Sequence, residues 1–237
     1  MANCITKHIP NTLTSGNLVC GCIATTFALG GCYEKALLFI ILGAVFDFFD
    51  GMSARLLKVS SPIGKELDSL ADDVTFGVAP SAMIFSVLYT HDYPEFMLPV
   101  SSLIPYLAFV MAAFSALRLA KFNLDERQSS SFIGVPTPAN ALFWASLIVG
   151  CPNLLASSPY MALVIIALVF ITSWLLIAEI PLFALKFKQW GWKDNEVKYV
   201  FLISSVPLLI IFGVTGIAVV IGWYVILSVI SNQYKLT

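Results

Sequence analysis

The chain has 237 residues, of which 59% are hydrophobic and 11% charged, with a mean hydropathy of +0.88. Water-soluble domains carry about 25% charged residues, so too few polar side chains are present to cover a water-facing surface. A formal net charge of −1 leaves no basic footprint for nucleic acid. Disordered chain, coiled coil, repeat solenoid and nucleic-acid binder are excluded, and an integral membrane protein remains.

A membrane-crossing helix needs about 20 mostly apolar residues, and apolar stretches fill nearly the whole sequence. Eight follow in chain order, at 16–33, 35–57, 64–90, 97–121, 135–151, 159–184, 197–213 and 215–232. Pro62, Pro94, Pro99, Pro136, Pro159 and Gly213 fall at or near the breaks, as residues that interrupt helices should. The fifth stretch is short, and the last two share one apolar run interrupted around Gly213 to Gly216. The expected fold is all-α: a single membrane domain over 1–237, a polytopic helical bundle of about eight transmembrane helices.

Lys and Arg placement gives the orientation. All 13 except Lys35 fall near the chain ends or in the loops after the second, fourth and sixth stretches. Those loops hold Arg55, Lys58 and Lys65; Arg118, Lys121 and Arg127; and Lys186, Lys188, Lys193 and Lys198. Basic residues collect on the cytoplasmic side, which puts both termini and these loops there. Lys7 and His8 precede the first stretch as in a signal peptide, but seven further stretches supply anchoring and the first reads as a span. Cysteines are odd in number (Cys4, Cys20, Cys22, Cys32 and Cys151) and show no Cys-x-x-Cys spacing. Neither a disulfide framework nor a zinc site is expected.

A charge at the centre of a span costs about 2.5–3.5 kcal/mol. Even so, Asp47 and Asp50 end the second stretch, and Asp68, Asp72 and Asp73 begin the third. Asp47 and Asp50, three apart, share a helix face, as do Asp68 and Asp72, four apart. Asp73 points about 100° away from Asp72. A short connection makes the two helices antiparallel neighbours, so four carboxylates converge on one pocket. Like charges this close cannot all stay ionised unpaired, and an all-oxygen set suits hard divalent cations such as Mg²⁺ or Mn²⁺. Gly51 and Gly64 remove side chains beside the acids. Arg55, one turn beyond Gly51, offers a planar fork matched to phosphate. The combination points to phosphoryl chemistry.

The run Asp47-x2-Asp50-Gly51-x2-Ala54-Arg55-x8-Gly64-x3-Asp68-x3-Asp72 places eight specified residues over 26 positions. It resembles, without gap or substitution, the signature of the CDP-alcohol phosphotransferase family. Flanking segments are similar to the bacterial and archaeal phosphatidylserine synthase branch of that family. These are Pro10-Asn11-x2-Thr14-x2-Asn17, Asp68-Ser69-Leu70-Ala71-Asp72 with Phe76-Gly77-Val78-Ala79-Pro80, Leu117 to Asn123, and Gly134-Val135-Pro136-Thr137-Pro138. Lys121 stands where that branch more often has Arg, and the charge survives the change. The resemblance covers roughly residues 10–140.

The resemblance implies transfer of the phosphatidyl group from CDP-diacylglycerol to L-serine, giving phosphatidylserine and CMP. In that scheme Asp47, Asp50 and Asp68 hold two divalent cations, Mg²⁺ or Mn²⁺, with Asp72 ligating the second and acting as general base. Gly51, Arg55 and Ser61 serve the diphosphate, and Asn11, Thr14 and Asn17 lie toward the nucleotide. Arg118, Lys121 and Asn123 are candidates for the serine carboxylate. Membrane lipids as surroundings, a homodimer, and an inner-membrane location with the site on the cytoplasmic side follow from the same resemblance. Glycerol 3-phosphate or inositol as acceptor stays open, as does the role of Glu179 in the sixth stretch: ammonium recognition, a structural hydrogen bond or a dimer contact.

A divalent-cation transporter is the alternative class. Transporters distribute polar groups through the membrane depth, often in paired repeats, whereas here the acids sit at one end and no repeat is visible. With only His8 and His91, neither with a Lys two residues on, a His-x-Lys phosphohistidine site and a Ser-His-Asp hydrolase are both excluded.

Overall fold

In lipid a backbone must satisfy its own hydrogen bonds, and a single apolar segment does so as a helix. The computed structural model describes residues 8–59, 61–124, 132–183, 185, 191–192 and 195–235. Eight longer helices carry these residues: α1 (Ile9–Leu29), α2 (Tyr33–Leu57), α3 (Pro62–Tyr89), α4 (Ile104–Leu124), α5 (Thr137–Gly150), α6 (Met161–Ile177), α7 (Glu196–Phe212) and α8 (Thr215–Lys235). Each overlaps one of the eight apolar stretches.

Five of them, α1, α2, α3, α4 and α8, are long and apolar enough to cross a membrane. The other three run to 14, 17 and 17 residues. At 1.5 Å per residue that is about 21–26 Å, short of a hydrocarbon core of about 30 Å. Gly213, at φ +54°, separates α7 from α8. At Gly216 a Cβ would come within 2.9 Å of the Leu208 carbonyl, so the hairpin closes tightly there.

Two expectations change. The fold is not wholly helical, because Phe132–Ile133 pairs antiparallel with Pro181–Leu182. Glu179 is not inside a span: α6 ends at Ile177, and Glu179 is exposed on the segment leading to that pairing. Of the basic residues used for orientation, Lys7, Arg127, Lys186, Lys188 and Lys193 lie outside the described residues.

Helix α3 is the centre of the bundle. Over its most apolar window 56% of residues are buried, against 17–33% for the other four long helices. It packs on α1, α2, α4 and α5. Buried alanines at 24, 28, 36, 71, 79, 82, 108, 141 and 145 let the backbones approach, the usual means of helix association without a hydrophobic drive. Phe76, Met83, Ile84, Met111 and Trp144 fill the centre.

Partway along, α3 widens into a π-helical turn at Asp73–Val78. Pro80 cannot donate a backbone hydrogen bond, and its ring crowds the carbonyl four residues back. The wider turn relieves this, and the Ala79 N–H reaches back five residues to the Val74 carbonyl. Such turns often mark functional regions.

Trp144 of α5 is 1% exposed and donates from Nε1 to Thr172 Oγ1 of α6 at 3.0 Å. Trp144→Ala is expected to cost about 3–5 kcal/mol, read as a lower thermal unfolding midpoint in detergent. An unchanged midpoint would show that the α5–α6 contact does not limit stability.

Candidate active site

The site forms where α1 enters, α2 ends and α3 begins. Helix α2 closes on Lys58 in the left-handed region (φ 52°), with the Val59 N–H bonded to the Ala54 carbonyl at 3.0 Å. Three residues later Ser61 caps α3: its Oγ accepts from the Gly64 N–H at 3.0 Å, and Pro62 takes the first helical position. A tight stop and a capped start turn the chain back at once. The acids of α2 and α3 therefore face each other.

Asp47, Asp50 and Asp68 each present a carboxylate oxygen, and these atoms lie within 4.8 Å of one another. Asp50 is held by α1, with Thr14 Oγ1 donating to its Oδ2 at 2.6 Å. Asp68 Oδ1 is buried without a hydrogen-bond partner among the described residues. Asp72 lies one turn beyond Asp68 and is 9% exposed. It interacts electrostatically with Asp47, Asp68 and Asp50. Asp73 turns away as expected, toward Gly77 and Ser115 of α4. A buried, unpartnered oxygen in an all-carboxylate set fits a hard divalent cation, and the residues present suit the metal that the sequence implies.

A cavity of about 260 Å³ opens beside the acids. Its wall comprises Pro10, Asn11 and Thr14 of α1; Asp50, Gly51 and Ala54 of α2; Val59 and Ser61 of the turn; and Gly64, Lys65 and Asp68 of α3. The two motif glycines serve different ends. A Cβ on Gly64 would lie 2.9 Å from Asn11 Oδ1 and 3.0 Å from Ser61 Oγ, so this glycine lets α1 and α3 meet. A Cβ on Gly51 would have only Arg55 Nη2 near it, at 3.8 Å. Among the described residues no neighbour needs that space, and it belongs to the cavity.

The other motif residues divide. Arg55 is exposed, and its Nε donates to the Gly51 carbonyl at 2.9 Å, folding the side chain along its own helix beside the cavity. Asn17 is fully buried and meets Asp72 rather than the cavity wall: its Nδ2 donates to Asp72 Oδ1 at 3.0 Å. Arg118 of α4 is 8% exposed, has no hydrogen-bond partner at Nε among the described residues, and interacts electrostatically with Asp72. Lys121 is exposed. Asn123 is tied to α3, donating from Nδ2 to Ser69 Oγ and accepting from Lys65 Nζ at its carbonyl, both at 2.8 Å.

Lys65 is the residue that motif reading passes over. It lines the cavity while bonded to the end of α4. The signal in the sequence is its position, directly after Gly64 and one turn before Asp68. In the Gly134 to Pro138 segment, the glycine serves close packing. Gly134 sits at φ +74° with its N–H on the Ile180 carbonyl at 3.0 Å, where a Cβ would clash with carbonyls at the end of α6.

Fold and site together define a helical membrane protein built around an acidic centre beside a cavity of mixed lining. Residues 7–177 match the CDP-alcohol phosphatidyltransferase family, and the chain belongs to it. The chain is 44% identical over 133 residues to the CDP-diacylglycerol–serine O-phosphatidyltransferase of Bacillus subtilis, covering 56% of this chain and 70% of that protein. An enzyme of the same name from Helicobacter pylori is 36% identical over 135 residues (56% and 54%), and one from Saccharomyces cerevisiae 40% over 114 (44% and 38%). The match spans about half or less of these last two relatives.

Removal of one cluster carboxylate should weaken divalent-ion binding by about tenfold or more, since affinity follows the number of charged ligands. Titration of Mn²⁺ by electron paramagnetic resonance on Asp68→Asn in detergent reads this. Asp73→Asn is expected to bind Mn²⁺ as the parent does, and equal losses in both variants would place the ion elsewhere.

Proposed function

We propose that the protein transfers the phosphatidyl group of CDP-diacylglycerol to the hydroxyl of L-serine, releasing CMP, with the site at the cytoplasmic face of the membrane. The observation that carries this reading is the set of three carboxylates with oxygens within 4.8 Å of one another, two of which, Asp50 and Asp68, line a cavity of about 260 Å³, with Asp72 one turn deeper. The relatives' shared name supports serine as acceptor.

Asp47, Asp50, Asp68 and Asp72 would hold two divalent cations, which when bound neutralise charge on the diphosphate and its leaving group. Thr14 fixes the Asp50 carboxylate. Asn11, Ser61 and Lys65 line the space for the diphosphate and nucleotide, and Gly51 leaves that space open. Arg55 can swing from its own helix to a phosphate oxygen. Arg118, buried behind Asp72, suits the serine carboxylate through its Nε, since a buried guanidinium is stabilised by an anionic partner.

Serine is a poor nucleophile at neutral pH, and a positioned base contributes typically about 10²–10⁴-fold. Asp72 accepts the serine hydroxyl proton. The oxygen attacks the lipid-side phosphorus, a new P–O bond forms, the phosphoanhydride bond breaks, and CMP departs with its electron pair.

Purified protein in micelles with CDP-diacylglycerol and Mn²⁺ or Mg²⁺ is expected to release CMP and form phosphatidylserine with serine. CMP release only with glycerol 3-phosphate or inositol would overturn the acceptor; none with any acceptor would favour an ion-transport role. Asp72→Asn should lower turnover by about 10²-fold or more while CDP-diacylglycerol still binds, and near-parental turnover would remove Asp72 as base. Lys65→Met should raise KM for CDP-diacylglycerol with little change in kcat, and Lys65→Arg should restore it.

A further inference from the structure

The resemblance implies a place for Asn17 at the nucleotide end of the site, but the contacts of its side chain lie elsewhere. Asn17 is 0% exposed, is absent from the cavity wall, and donates from Nδ2 to Asp72 Oδ1 at 3.0 Å. Its other amide atom, Oδ1, is buried without a partner among the described residues. A buried asparagine with a purely structural role ordinarily satisfies both ends. Here the amide is turned for one contact, and the reverse orientation would set its oxygen against the carboxylate.

The surroundings are built to hold that contact. Thr75, three residues after Asp72 in the π-turn, is 0% exposed and donates to the Asn17 backbone carbonyl at 3.0 Å. A Cβ on Gly43 of α2 would lie 2.9 Å from Asn17 Oδ1 and 2.5 Å from Thr75 Cγ2, and one on Gly21 of α1 would lie 2.8 Å from Thr75 Cα. Two glycines, one on each neighbouring helix, thus let α3 come close enough for the amide to reach the carboxylate.

We infer that Asn17 is a positioning residue for Asp72. The amide takes up Oδ1 and fixes the plane of the carboxylate, leaving Oδ2 to receive the proton of the acceptor hydroxyl. A base oriented by a third group recurs across nucleophilic enzymes. This inference rests on the reading of Asp72 as base, and the two can fail separately.

The test measures kcat and KM for Asn17→Leu, which keeps the volume and lacks the donor, and for Asn17→Ala, with Asp72→Asn in parallel. Both Asn17 variants should lose about 10–100-fold in kcat, the usual effect of removing a group that orients a reactive one. KM for CDP-diacylglycerol should stay near the parental value, and the unfolding midpoint of Asn17→Leu should be little changed. A raised KM with kcat kept would return Asn17 to the nucleotide and overturn the inference, as would parental kcat in folded Asn17→Leu. If Asp72→Asn itself turns over normally, the base assignment falls and takes this inference with it. If only Asn17→Leu is fully active, the positioning role falls alone. Should neither Asn17 variant fold, Thr75→Val removes the hydroxyl that anchors Asn17; it should lower kcat severalfold, and unchanged kcat there overturns the inference.

Discussion

Three carboxylates with oxygens inside 4.8 Å, and a fourth one turn away, repel one another in surroundings where charge is poorly screened. The contact of α1 with α2 and α3 is what keeps them together. Thr14 and Asn17, spaced three apart on one face of α1, donate to Asp50 and Asp72 respectively. The pair therefore sets one hydrogen-bond donor against an acid of each flanking helix. Close approach is possible because Gly21, Gly43 and Gly64 stand at the crossing points, where a Cβ would fall within 3 Å of a neighbour. The first helix is thus as much a part of the acidic centre as the two that carry the acids.

The centre itself was readable because its geometry is local. Spacings of three and four on helices joined by a short turn fix which acids share a face, and the structure keeps Asp47, Asp50, Asp68 and Asp72 together while Asp73 departs. The helical segments were readable for a similar reason, since hydropathy and breaker residues act within one segment, but the number of spans was not: five of the helices are long and apolar enough to cross a membrane. Long-range facts were not. Nothing in the local sequence says that Asn17 meets Asp72, 55 positions away, or that Lys65 reaches the carbonyl of Asn123. Nor could apolar content alone separate Glu179, just past the end of α6, from a residue inside the helix. The Phe132–Ile133 and Pro181–Leu182 pairing is two residues long on each side, too short for any alternation to show.

The candidate acceptor residues illustrate the same division. Arg118, Lys121 and Asn123 fall within six positions at the end of α4, yet they have three different environments. Arg118 turns inward behind Asp72, Lys121 faces outward, and Asn123 fastens α4 to α3. Position along the helix, not phase, separates them: Ser115 and Arg118 are buried where α4 meets α3, whereas Lys121, one turn nearer the helix end, is exposed. A basic cluster that looks uniform in sequence becomes one buried cation and one solvent-facing one.

The π-turn of α3 separates two duties that a regular helix would bind together. One extra residue in a turn rotates everything beyond it by about 100°, so the phase of Pro62–Asp72 and that of Ala79–Tyr89 are set independently. The first segment can aim its acids at α1 and α2, and the second can bury Ala79, Met83 and Leu88 in the bundle. A straight helix of the same sequence could satisfy one face or the other. The turn works as a phase-shifter, and the helix can keep its reactive groups in register with one set of neighbours while it is anchored by another.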